Sequence, residues 1–147
     1  MGRRFYSVRR LSLAQQDLAM QSIFPNFVAR RLKDGMVWIG QLSPLGRAGI
    51  YKVKVKYSLH RRPRVWVLDP PLMKRSDDEE IPHLYSDGSV CLYLPWNNEW
   101  NRDLLIARTI VPWISLYLYF YEVWHITGEW MGGGQHPGSH DPDDEVG

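Results

Sequence analysis

The rhythm of apolar positions changes three times along this chain. Between residues 12 and 33, Leu13, Leu18, Ile23, Phe27 and Val28 share a broad face at helical spacing, with Ser12 before them as an N-cap. This predicts a helix, which Pro25 should break or kink. Asp34-Gly35 then marks a turn. Three strand-like segments follow, at 36–42, 50–57 and 64–68. The second is the clearest. Tyr51, Val53, Val55 and Tyr57 alternate with Lys52, Lys54 and Lys56, a period of two that buries one face and lines the other with lysines. Pro44, Gly46, Gly49 and Pro63 supply turn chemistry between the segments, and connections this short suggest an antiparallel meander.

Asp69-Pro70-Pro71 ends the sheet, and Ser76 to Glu80 reads as a charged, solvated loop. From Arg102 to Ile126 the pattern is long, aromatic and helical, with a break expected near Pro112. Gly132, Gly133 and Gly134 punctuate its end. The order helix, sheet, loop, helix is an α+β layout. One domain over 1–133 and a flexible polar tail over 134–147 are expected.

Composition narrows the class. With 147 residues, 44% hydrophobic, the chain is long enough for one domain with a real core. The net charge is only +2, but it is unevenly spread. Basic residues crowd Arg3, Arg4, Arg9, Arg10, Arg30 and Arg31, and again Arg61, Arg62 and Arg64, while acidic ones crowd 77–80 and 141–145. Such clusters are read as a solvated face before nucleic acid is invoked, and no nucleic-acid recognition motif accompanies them. Nothing at the N-terminus has the apolar core of a secretory signal. The most apolar run, 104–121, holds Arg108 and Pro112 and is short for a membrane span. A cytoplasmic protein without a membrane partner is the expectation.

Cys91 is the single cysteine, which excludes an internal disulfide and a multi-cysteine zinc site. His136 and His140 have a spacing seen in zinc sites, and His125 lies upstream, but the pair falls in a Pro/Gly-rich tail with no helix to fix it. No metal and no cofactor are expected.

Cys91 ends the run Ile81-Pro82-His83-Leu84-Tyr85-Ser86-Asp87-Gly88-Ser89-Val90-Cys91. This run, continued by Leu92, resembles the active-site stretch H-P-N-I-Y-x-x-G-x-I-C-L of ubiquitin-conjugating enzymes. Pro82, Tyr85, Gly88, Cys91 and Leu92 fall in register without a gap. Trp38-Ile39-Gly40, Gly49 to Val55, Arg62 to Val67 and Trp100 to Ile106 are similar to other family segments, in the family's order, across about residues 12–130. Two departures stand out. His83 occupies the family's asparagine position, and the segment near 69–80 is longer than the usual loop.

Asp87-Gly88-x-x-Cys91-Leu92-Tyr93, Pro95-Trp96, Trp113, Tyr121-Glu122-x-Trp124 and Thr127-Gly128-Glu129-Trp130 resemble the bacterial stand-alone branch found in cyclic-oligonucleotide antiphage (CBASS) operons. The resemblance implies a ubiquitin-conjugating (UBC) fold: an N-terminal helix, a four-stranded antiparallel meander, a catalytic-cysteine coil and C-terminal helices. It also implies a thioester on Cys91 with the C-terminus of a cGAS-like nucleotidyltransferase, passed on to a target lysine. A separate activating enzyme is left open.

That chemistry needs an accessible thiol that ionises. A free cysteine titrates near about 8.5 and is mostly protonated at neutral pH. The Asp87-Gly88 turn is expected to place Cys91 on a surface coil, against the alternative of an ordinary buried cysteine. His83 is a candidate to stabilise an oxyanion or to organise the loop. Tyr85 and Asp87 are expected to support the loop, with steering of an incoming amine as the alternative. Three rivals remain: a non-catalytic partner-binding module on the same fold, a basic nucleic-acid binder, and a hydrolase using Cys91 and His83.

Overall fold

The computed structural model describes residues 10–44, 49–93 and 99–132. The expected polar tail, the arginines before Arg10, residues 45–48 and Pro95-Trp96 lie outside this range. The fold is α+β, one helix and four antiparallel strands followed by a long helix.

Helix α1 spans Leu13–Ile23. Ser12 caps it through a reciprocal box. Its Oγ accepts from the Gln15 amide at 3.1 Å, and Gln15 Oε1 accepts from the Ser12 amide at 2.8 Å. The helix is shorter than the sequence pattern predicts. It stops before Pro25, and Val28–Arg31 form strand β1 instead. The apolar face is also different. Leu13, Gln16 and Met20 are buried, whereas Leu18 and Val28 are 72% exposed. A helical period stretched across Pro25 merged two elements into one and hid the first strand.

Strand β2 is Gly35–Leu42, β3 is Tyr51–Ser58 and β4 is Arg61–Asp69. Their order, β1-β2-β3-β4 with every pair antiparallel, is the meander that the short turns predict. The alternation in β3 holds: Tyr51, Val53, Val55 and Tyr57 are buried. β4 begins at Arg61, so Pro63 lies inside a strand. An edge strand tolerates a residue that cannot donate. Gly40 in β2 is packed under the Phe27 ring, which stands where a Cβ would be.

Helix α2 spans Ile110–Thr127, with a 3-10 turn at Ile106–Arg108 before it. The expected helix from Arg102 therefore starts later, and Pro112 falls in its first turn, where a missing N–H costs little. Among the described residues α2 is the only α-helix after the sheet. Its buried face, including Ile110, Ile114, Leu118 and Tyr121, forms one core with Trp38, Val53, Val55, Tyr57 and Val65 from the sheet. Gln16, fully buried, fastens α1 to the segment leading into α2. Its Nε2 donates to Leu104 O and its Oε1 accepts from the Ile106 amide, both at 2.9 Å. No helix among the described residues is long and apolar enough to cross a membrane.

Candidate active site

The segment 82–93 sits on the outer edge of β4. Three main-chain bonds fold it into a narrow hairpin. The Cys91 amide donates to His83 O at 2.8 Å, the Tyr85 amide to Ser89 O at 2.8 Å, and the Gly88 amide to Tyr85 O at 3.0 Å. Leu84 and Val90 form the bridge between the arms. The turn needs a left-handed residue, and Gly88 supplies it at φ +83. The Val90 amide donates to Val65 O at 2.8 Å, which docks the hairpin on β4.

Asp87 locks the turn. Its Oδ1 accepts from both the amide and the hydroxyl of Ser89, and its Oδ2 lies 3.7 Å from Arg64 Nη1. The Trp66 indole donates to Asp87 O at 3.3 Å. From the other side, the Tyr117 hydroxyl of α2 donates to Pro82 O at 2.8 Å. The coil carrying Cys91 is thus held by the sheet edge and by the long helix.

Cys91 lies in coil, as the sequence predicts, but it is not open to solvent. Only 7% of it is exposed. Its Sγ donates to Tyr93 O at 3.3 Å. Burial pushes the thiol up from its ordinary value, and the Glu99 carboxylate adds to this. The Tyr85 hydroxyl, hydrogen-bonded to sulfur, works the other way. The expected surface thiol is therefore corrected to a shielded one. Closing the hairpin turns the residue after Val90 inward, where its sulfur meets the Tyr85 hydroxyl and the Tyr93 carbonyl.

His83 has φ +58, a left-handed conformation rare for a residue with a side chain. Its ring lies against Trp130, 5.1 Å between centroids, and Trp130 also meets Tyr117 and Phe120. The imidazole therefore rests on Trp130, which is in turn packed on two aromatics of α2. Tyr85 is half-buried, and desolvation together with its bond to Cys91 pushes its hydroxyl well above the usual range.

The four residues expected from the sequence thus gather in one hairpin, with two partners that the sequence reading did not assign. Tyr93 is pushed up to about 12 by burial, while the Arg62 guanidinium bonded to it works downward. Arg62 Nη1 also donates to Trp100 O at 3.3 Å. A signal for this was present. Arg62, Arg64 and Trp66 occupy alternate positions of β4, opposite the buried Pro63 and Val65, and all three grip the cysteine hairpin or the segment beyond it. His125 is accounted for locally, its Nε2 2.8 Å from Met73 O. His136 and His140 lie outside the described residues.

The chain matches the model of the Type II CBASS E2 protein family over residues 16–137. It belongs to that family. The matched span takes in most of α1, the whole sheet, the cysteine hairpin and α2. Membership in the CBASS E2 family assigns the chain an E2-like part in CBASS antiphage defence. No curated protein matches the sequence.

Proposed function

We propose that Cys91 carries the carboxyl end of a partner chain as a thioester and delivers it to an amine. The observation that carries this reading is the anchoring of Cys91. A lone thiol at the end of a hairpin fixed from β4 and α2 is held in one place, as an acyl carrier requires. Family membership supports it, as does the order of elements, a helix, a four-stranded antiparallel meander and a long helix, which is in keeping with the UBC resemblance of the sequence.

In the first step the Cys91 thiolate displaces a leaving group from an activated carboxyl end. The carbonyl–sulfur bond forms and the thiol proton goes to solvent or to a nearby base. In the second step an amine displaces the thiolate, an amide replaces the thioester, and the amine's proton passes to the departing sulfur or to solvent. The activation is supplied from outside, since the first step needs an acyl group already joined to a good leaving group. The donor fitting a CBASS E2 is the C-terminus of a cGAS-like nucleotidyltransferase, and the acceptor is a protein lysine. Tyr85 steadies sulfur in both steps, because a hydroxyl hydrogen bond favours the thiolate.

The test is co-expression with the nucleotidyltransferase, followed by gels with and without reductant. The expected result is a band at the summed mass that reductant removes. In Cys91→Ser that band is absent or resists reductant, because an oxygen ester is not cleaved by thiols. No adduct in wild type, with Cys91 also resistant to alkylation in the unmodified fold, overturns the reading.

The second reading is a non-catalytic partner-binding module on the same fold. One observation favours it: the thiol is buried, and burial disfavours its reactive form. It predicts a stable non-covalent complex that Cys91→Ser leaves unchanged.

A further inference from the structure

Helix α2 is apolar on both sides, although the described residues cover only one. In its 18 residues Glu122 is the single carboxylate, and there is no lysine or arginine. Glu122 is engaged by the Tyr51 hydroxyl at 2.9 Å. The core takes Ile110, Ile114, Tyr117, Leu118, Tyr121 and Trp124. Diametrically opposite stand Pro112, Leu116, Tyr119, Val123 and Ile126, which at helical pitch fall within about 80° of one another. Leu116 is 42% exposed and Ile126 69%, with Tyr119 and Val123 half-buried. The spacing of four, three, four and three is the seam of a two-helix packing, and helices apolar all round are normally covered all round.

We infer that this seam is a self-association surface, on which α2 of a second copy of this chain packs. Charge argues for that occupant. An uncharged seam calls for an uncharged partner surface, and the chain carries one in the seam itself. Its own remaining segments do not match. Residues 133–147 hold four carboxylates and a single aliphatic side chain, Val146, and residues 1–9 set Phe5, Tyr6 and Val8 among three arginines, Arg3, Arg4 and Arg9, whose charge an uncharged seam does not match. The positions also suit a two-fold axis. Pro112 and Ile126 stand seven residues either side of Tyr119, and Leu116 and Val123 three and four. Two antiparallel copies crossing at Tyr119 therefore set Leu116 against Val123, the self-complementary contact that a two-fold dimer requires. The area fits a reversible dimer. A seam on an 18-residue helix, about 27 Å long, buries roughly 1,000 Å² in total with its copy, the lower bound for a specific interface.

The test is sedimentation velocity on the full chain from about 1 to about 200 µM. The expected result is a monomer–dimer equilibrium in that range. Leu116→Glu and Ile126→Glu should each weaken it by about tenfold or more, since each buries an unpaired carboxylate at the seam. Leu18→Glu, at a leucine on α1 about as exposed as Ile126, should leave it unchanged. Circular dichroism checks that the folds agree, and Leu116→Gln is the milder substitute if a charged variant fails to fold. A wild type that stays monomeric throughout, or a dimer indifferent to both seam substitutions, overturns the inference. So does a monomer whose binding to the nucleotidyltransferase is lost in Leu116→Glu, which gives the seam to that partner. None of these outcomes depends on whether Cys91 forms a thioester.

Discussion

The Cys91 amide donates to the His83 carbonyl at 2.8 Å, and His83 itself stands at φ +58 with its ring against Trp130. Any change at His83 therefore acts on the cysteine coil in two ways, through the backbone and through the imidazole. The two can be separated. Asparagine tolerates the left-handed region better than other residues and keeps a side-chain donor. His83→Asn should keep discharge to an amine within a few-fold of wild type. His83→Ala, which loses the donor, should slow discharge by about tenfold or more while loading changes little. Single-turnover measurements of both steps check this. Equal losses in loading and discharge would mark His83 as a loop organiser only.

Thiol reactivity should follow the burial of Cys91. Desolvation raises the thiol from its ordinary value and the Tyr85 hydroxyl opposes that rise. Alkylation of Cys91 by iodoacetamide should therefore be slower at neutral pH than for an unstructured cysteine, and should accelerate well into the alkaline range. Tyr85→Phe removes a bond that favours the thiolate, so it should shift the profile further up. Stability has the matching sign. The folded state prefers the neutral thiol, so this contribution is complete below the unfolded value of about 8.5 and is lost as pH climbs through the raised folded value. Urea melts at rising pH should show a decline that Cys91→Ser lessens.

Strands β2 to β4, the turn at Asp34-Gly35 and the N-cap at Ser12 were legible because each rests on local chemistry: alternation, a turn pair, an oxygen before an apolar run. The first strand was not. Val28 and Arg31 show no alternation of their own, and β1 exists because β2 pairs with it, Val28 opposite Ile39 and Arg31 opposite Met36. The start of α2 was also hidden, because residues 102–109 are apolar enough to pass as helix. What decides them is tertiary: Arg102 reaches the Tyr57 hydroxyl and Gln16 takes the Ile106 amide. At the site, the motif located the hairpin, but the shielding of Cys91 comes from partners whose approach no local pattern encodes.

Gln16 should be far less replaceable than its place on a short helix suggests. It is fully buried, and it satisfies one carbonyl and one amide of the segment before α2. Gln16→Leu keeps the volume but strands both groups, at about 1–3 kcal/mol each. The chemical-denaturation midpoint should fall markedly. Gln21→Leu on an exposed part of the same helix should cost much less. Similar midpoints for the two would mean that water reaches the stranded groups.

Asp87 distinguishes a loop role from a role in steering the amine. One carboxylate oxygen holds the amide and hydroxyl of Ser89, the other faces Arg64 at 3.7 Å, and its carbonyl takes the Trp66 indole. Asp87→Ala removes the side-chain anchors and keeps only the carbonyl one. The loss should be about 1.5–3 kcal/mol, the scale of a charge-assisted hydrogen bond. Asp87→Asn keeps an acceptor for Ser89 and loses only the ion pair, which should cost under about 1 kcal/mol. A looser hairpin opens more often, and opening is what exposes the sulfur. Asp87→Ala should therefore also speed alkylation of Cys91, with Asp87→Asn between it and wild type. Thermal melts and timed alkylation with mass detection measure both effects on the same samples. If Asp87→Ala leaves melting and alkylation as they were and yet abolishes transfer to an amine, the carboxylate acts on the incoming nucleophile rather than on the loop.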